Sequence, residues 1–185
     1  HINEREKNNH MMIDIQSHIV EFRNGESGKH VFHMDKVIQL LLDKIVQKTD
    51  KYPSLWQERI LIRTASALHD IGKIGIDEAI LNKPGRLTAE EFESMKAHTT
   101  IGADMLRNLP RYQEERLLQI AIEICRWHHE RYDGKGYPDG LVGDEIPISA
   151  QLVSIADVYD ALTSERVYKK AFSHEKAMQM IREGE

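Results

Sequence analysis

Apolar positions recur with a helical period along most of the chain. The clearest stripe is Val31, Met34, Val37, Ile38, Leu41, Leu42, Ile45 and Val46, spaced as one face of an amphipathic helix. Gly25 and Gly28 interrupt the pattern before it and Pro53 after it. Upstream, the polar segment 2–22 carries Met11, Met12, Ile15, Ile19 and Phe22 at helical spacing, which predicts a helix whose apolar side packs on the domain or on a second copy. Residues 55–70 read as a further helix closed by Gly72, and 71–86 as a loop with at most one short helix. Thr88 followed by Glu91 forms a capping box that opens a helix carrying His98. Helices are also predicted at about 111–129, about 149–163 and from about 173 onward, with a Gly- and Pro-rich loop ending at Pro147. No stretch alternates with a period of two and no segment repeats, so the predicted fold is all-α.

The chain of 185 residues has room for one substantial core, and its 41% hydrophobic and 30% charged residues are those of a folded domain. We expect a linker or signalling helix at 1–22 and a catalytic domain at 23–185. No apolar run reaches the roughly 20 residues of a membrane-spanning helix, and no signal peptide is recognisable, so a cytoplasmic location is expected. A net charge of -5 argues against binding a nucleic-acid polymer, while leaving room for a local basic pocket. Cys125 is the only cysteine, which excludes an internal disulfide and any CxxC metal site, and reads as a buried structural thiol. Histidine is the unusual component, with ten in the chain.

Metal ligands delivered by helices must lie on their inward stripes, and several of these residues do. His30 precedes Met34, Val37 and Leu41 by one, two and three turns; His69 follows Ile62 and Ala65; His98 lies between Met95 and Gly102; His128 follows Leu117, Ala121 and Ile124. Asp157 lies between Val153 and Ala161, and Glu26 stands one turn before His30. The adjacent pairs His69-Asp70 and His128-His129 each put two donors at a predicted helix end. A lone histidine on an inner face is usually structural, but so many such groups on inner faces point to metal.

Two stretches carry a resemblance. His69-Asp70-Ile71-Gly72-Lys73, followed by the run from His128-His129-Glu130 through Asp133-Gly134 to Gly136-Tyr137-Pro138, resembles the paired signatures of the HD-GYP phosphodiesterases, from about Glu26 to the end of the chain. The resemblance implies an HD-domain helical bundle with a Gly/Pro-rich GYP loop. It implies Glu26, His30, His69, Asp70, His98, His128, His129 and Asp157 as metal ligands, with Asp70 bridging two ions and Glu26 marking the version that holds three. The implied cofactors are two or three divalent transition-metal ions, iron first and manganese next; a nitrogen and oxygen donor set without sulfur is compatible with both. His33 departs from the family, which usually has an arginine there, and is not counted as a ligand. The family usually continues with more helix, so the domain is expected to extend past Glu185.

The same resemblance implies hydrolysis of cyclic di-GMP to linear pGpG, and in some members on to GMP. A pair of ions can activate water and neutralise the charge of an in-line displacement, so no serine or cysteine nucleophile is needed. Asp70 and Lys73 are expected in the catalytic machinery, with Lys73 at a phosphate oxygen or the departing alkoxide. Arg166 and Lys169 look like the segment that grips guanine or phosphate. Gly136, Tyr137 and Pro138 are read either as a rigid scaffold for the histidine pair or as a lid or docking loop for a diguanylate cyclase, with Tyr137 an exposed aromatic platform. An upstream sensory or receiver domain and a homodimer are further expected partners. The competing readings are a cyclic di-GMP sensor or adaptor that binds a cyclase without turnover, and an HD-type phosphohydrolase acting on another nucleotide.

Overall fold

The computed structural model describes residues 2–23, 29–165 and 170–184, the side chains of 2–10 and 14 excepted. Its helices are α1 (Ile2–Arg23), α2 (Lys29–Lys48), α3 (Leu55–Ser66), α4 (Glu78–Leu81), α5 (Ala89–Lys96), α6 (His98–Arg107), α7 (Arg116–Trp127), α8 (Ile148–Thr163) and α9 (His174–Glu183). Short 3-10 turns at Ile71–Gly75, Pro110–Tyr112 and Gly143–Glu145 join them. The only β pairing among the described residues is an isolated bridge between Asp133 and Val142, so the fold is all-α.

The stripe on α2 turns inward as its spacing requires: Met34, Ile38 and Leu42 are fully buried, with Val37, Leu41, Ile45 and Val46 packed beside them. Leu55, Ile62 and Ala65 from α3, Ile120, Ala121 and Ile124 from α7, and Leu152, Val153 and Ala156 from α8 complete the core. Each large aliphatic side chain buried here contributes roughly 1.5–3 kcal/mol. That burial fixes α7 among α3, α6 and α8, with α2 lying across α3 and α8. The helix ends that meet above this core carry the histidines.

Three boundaries differ from the sequence reading. The helix expected over 55–70 stops at Ser66, because the amides of Leu68, His69 and Ile71 bond to carbonyls three residues back and tighten the chain into 3-10 geometry. The His69-Asp70 pair therefore sits in a turn. The single helix expected to carry His98 is divided at Ala97 into α5 and α6, and Thr88 and Glu91 form the capping box at its start. The helix expected from 111 begins at Arg116, after a separate turn opened by Pro110.

The stripe on α1 does not pack on the domain. Met11, Met12, Ile15 and Ile19 are exposed and Phe22 is 87% exposed, while Ser17, Val20 and Glu21 are buried. Polar anchors set this rotation. Ser17 Oγ donates to Ala67 O at 2.6 Å, and the Arg23 guanidinium donates to Lys73 O at 3.1 Å and Ile76 O at 2.9 Å, which turns the opposite face of α1 onto the HD turn.

Gly72 sets how closely that turn approaches α6. A Cβ at Gly72 would lie 1.9 Å from His98 O and 2.5 Å from Gly102 N, both rigid backbone atoms. Gly72→Ala must push the turn away from α6 and is expected to lower unfolding free energy by about 1–3 kcal/mol, read from urea denaturation. An unchanged urea midpoint would refute this close-packing account.

Candidate metal centre

Three histidines are oriented by backbone carbonyls in the last turns of helices. A carbonyl oxygen has two lone pairs, so it can take an imidazole donor beside the amide it already accepts. His69 Nδ1 donates to Ser66 O at the end of α3 at 2.8 Å, His98 Nδ1 to Met95 O in the last turn of α5 at 2.7 Å, and His128 Nδ1 to Ile124 O and Cys125 O of α7 at 2.9 and 3.1 Å. A carbonyl can only accept, so each Nδ1 must carry a proton, which leaves Nε2 as the atom able to present a lone pair to an ion. All three rings are buried, and the Nε2 atoms of His98 and His128 face each other. Cys125 is a buried structural thiol, as its sequence context suggests: Sγ donates to Leu68 O at 3.0 Å and ties α7 to the HD turn.

The donor atoms fall into two triplets, His98, His128 and His129 in one and His30, His69 and Asp157 in the other, each with its atoms within 4.8 Å of one another. Asp70 stands between them. Its Oδ2 lies 3.2 Å from His69 Nε2, and its Oδ1 lies 3.4 Å from His98 Nε2 and 3.9 Å from His128 Nε2. Lys73 Nζ sits 2.7 Å from Asp70 Oδ2, so the lysine expected at a phosphate rests here on the central carboxylate. Seven sequence-predicted ligands thus converge on one cluster. Glu26, Arg166 and Lys169 lie outside the described residues.

Burial penalises charge throughout the cluster, and in one triplet it prevails: His98 is lowered, His128 lies well below the ordinary imidazole range, and His129 is pushed down to about 3. Burial also raises Asp157. It would lower His69 too, but the negative charge of Asp70, aided by Asp157, outweighs it and raises that group to about 9. Asp70 is held well below the carboxylate range, because Lys73 and His69 overcome the effect of burial.

These residues fit divalent ions. His69 Nε2 is buried, and its nearest charged neighbour is Asp70 Oδ2 at 3.2 Å, outside a full hydrogen bond. His98 Nε2 and His128 Nε2 face each other at 3.5 Å with neither free to donate while their Nδ1 atoms hold the protons. Imidazole nitrogens converging beside two carboxylates are suited to a cation. The set contains nitrogen and oxygen donors and no sulfur.

The loop after His129 forms one wall. The Tyr137 ring stacks on His129, with centroids 4.9 Å apart, and Phe92 and Lys96 lie against its other sides. Tyr137 is half-buried rather than the exposed platform read from sequence, because this stacking covers one face. A Cβ at Gly136 would lie 2.3 Å from Arg131 N, so only glycine lets the loop fold back so tightly. The Tyr137-Pro138 bond is cis.

A family model described as HD domain matches residues 15–185. The chain belongs to the HD-domain family. Among curated relatives, a cyclic di-GMP phosphodiesterase of Vibrio cholerae serotype O1 is 44% identical over 170 residues, covering 91% of this chain and 35% of the relative. The cyclic di-GMP phosphodiesterase response regulator RpfG of Xanthomonas campestris pv. campestris is 38% identical over 178 residues, 96% of this chain and 44% of its own length. A 3'3'-cGAMP-specific phosphodiesterase 2 of Vibrio cholerae is 38% identical over 180 residues, 92% of this chain and 32% of the relative. The chain spans less than half the length of these relatives. No helix among the described residues is long and apolar enough to cross a membrane.

Several residues that shape this HD domain went unnoticed in the sequence. Glu130 is buried, and its carboxylate accepts from the amides of Asp139, Gly140 and Leu141 at 2.7, 3.0 and 3.0 Å, stapling the exit of the GYP loop. Asp139 is gripped by Arg126 through both oxygens and by Trp127 Nε1. The Asp160 carboxylate accepts from both His30 Nδ1 and His33 Nδ1, a pairing that the sequence reading of His33 as a non-ligand does not foresee. Glu130 was legible as part of the HHE run, but its partners nine to eleven residues on were not.

The two triplets should differ in pH response. His69 holds a proton until about pH 9 in the metal-free protein, and an ion entering its triplet must displace that proton. Affinity there is expected to rise about tenfold per pH unit up to about 9 and then level off, while the already neutral His98, His128 and His129 triplet changes little. Competitive chelator titrations at several pH values check this, and equal slopes for both ions would contradict it.

Proposed function

We propose that this domain is a metal-dependent phosphodiesterase that hydrolyses cyclic di-GMP to pGpG and onward to GMP. The observation that carries the proposal is the pair of donor triplets flanking one buried carboxylate, Asp70. The relatives named above act, by their names, on cyclic dinucleotides, which favours this substrate class over mononucleotides. We assign the metal as iron, with manganese next, as the resemblance to the HD-GYP phosphodiesterases implies; the sulfur-free donor set is compatible with both. Glu26 is assigned to a third ion. A cytoplasmic location accords with a single cysteine kept as a buried thiol.

When bound, a pair of divalent ions activates water and offsets the charge that builds on the phosphodiester during in-line displacement. In the hydrolysis, water oxygen bonds to phosphorus, the bond from phosphorus to the 3' oxygen breaks, and that oxygen takes up a proton, leaving a 5'-phosphate on the linear product. Asp70 keeps the two halves of the site in register. Lys73 supplies positive charge beside it, 2.7 Å from Oδ2, where a non-bridging phosphate oxygen can share the contact. Tyr137 stacked on His129 excludes water from one side and holds that ring in place. Arg166 and Lys169 are assigned to the guanine or phosphate of the substrate, and the loop of Gly136, Tyr137 and Pro138 to the scaffold of the site.

The test is product analysis with reduced, iron- or manganese-loaded protein on cyclic di-GMP, 3'3'-cGAMP and linear pGpG. Cyclic di-GMP should be opened fastest. Asp70→Ala is expected to lose both metal and turnover, whereas Lys73→Ala should retain metal and lose about 10²- to 10³-fold in turnover. Metal-replete protein that binds cyclic di-GMP and turns over none of these substrates would reject the enzyme in favour of a sensor.

A further inference from the structure

His30 cannot be oriented as the other buried histidines are. It is the second residue of α2, and the first turn of a helix offers unpaired amides rather than unpaired carbonyls. Its Nδ1 acceptor comes instead from another helix, 130 residues along the chain: Asp160 Oδ2 on α8, at 2.7 Å. Asp160 is buried at 4% exposure, and its second oxygen is also occupied. Oδ1 accepts from His33 Nδ1 at 2.9 Å and from Ser164 Oγ at 2.8 Å. His30 Nε2 is thereby turned toward Asp157, with Oδ1 at 3.6 Å.

We propose that Asp160 is a positioning residue for the ion of the His30, His69 and Asp157 triplet, and that His33 and Ser164 lock its carboxylate in that role. The proposal rests on reading the triplet as a metal site. A carboxylate presents acceptors on both sides, so His30 is fixed with its proton on Nδ1 and its lone pair on Nε2. A single carboxylate thus performs for His30 what the helix-end carbonyls perform for His69, His98 and His128. A guanidinium at position 33 would likewise offer Asp160 Oδ1 an N–H donor.

The discriminating variant is Asp160→Asn, which keeps shape but offers one acceptor and one donor. If the amide nitrogen faces His30, that ring must move its proton to Nε2 and lose its lone pair; if it faces His33 and Ser164, their bonds break and the side chain is unlocked. The expected result is a loss of about 10- to 100-fold in affinity for one ion, with the other retained, in calorimetric titration with manganese alone. In metal-free protein, nitrogen-15 NMR should show His30 protonated on Nδ1 in the wild type and divided between tautomers in the variant. His33→Ala should weaken the same ion by a smaller factor, and His33→Arg should restore it.

Unchanged affinity for both ions in Asp160→Asn would overturn the proposal, as would equal weakening of both in a variant whose circular dichroism matches the wild type. His33→Ala and His33→Arg behaving alike would overturn the locking role, and these variants carry the test if Asp160→Asn does not fold. Wild-type protein that takes up no manganese would instead reject the metal reading itself. The His30 tautomer reports on the Asp160 contact whether or not metal binds.

Discussion

The site depends on one kind of interaction, a hydrogen bond from an imidazole Nδ1 to an acceptor that cannot give the proton back. Ser66 O, Met95 O and the Ile124 and Cys125 carbonyls lie in the last turns of α3, α5 and α7, and together they fix three rings. A second lone pair on a helix-end carbonyl is thus put to orienting a side chain. It follows that the place of each histidine relative to its helix end matters as much as its presence on an inner face. His30, at the wrong end of its helix for this device, draws on Asp160 instead.

Packing then brings the oriented rings together. The core of α2, α3, α7 and α8 sets where the helix ends lie, and Gly72 against His98 O and Gly102 N sets how far the HD turn stands from α6. Glu130 and Asp139 tie down the loop that presses Tyr137 onto His129. The resulting pocket is dry enough that His128 and His129 remain neutral, yet it concentrates negative charge on Asp70. The neutral imidazoles of His98, His128 and His129 beside an anionic carboxylate form an environment that attracts cations.

Much of this was legible in the chain. Apolar spacing predicted the inward face of α2 because its neighbours are themselves helices, and the HD and HHE runs pointed to residues that do converge. Of the two surfaces offered to the stripe of Met11, Ile15, Ile19 and Phe22, this domain is not the one it packs on, since spacing reveals that a face exists but not what covers it; Ser17 and Arg23 decided the rotation through polar anchors. The end of α3 was read four residues too long because a shift from i−4 to i−3 hydrogen bonds leaves no compositional mark. Asp160 and His33 were invisible as a unit because their contact spans 127 residues. A helical aspartate and an exposed histidine carry no local sign of pairing.

The most direct measurement of the central claim is anomalous diffraction from crystals of the manganese- or iron-loaded protein. The account predicts an ion peak on each side of Asp70, one about 2.0–2.3 Å from the Nε2 atoms of His98, His128 and His129 and the other within the His30, His69 and Asp157 triplet, with every Nδ1 of His30, His69, His98 and His128 still on its present acceptor. Peaks bound through Nδ1 atoms, or a metal-replete protein whose anomalous peaks lie away from this cluster, would contradict it.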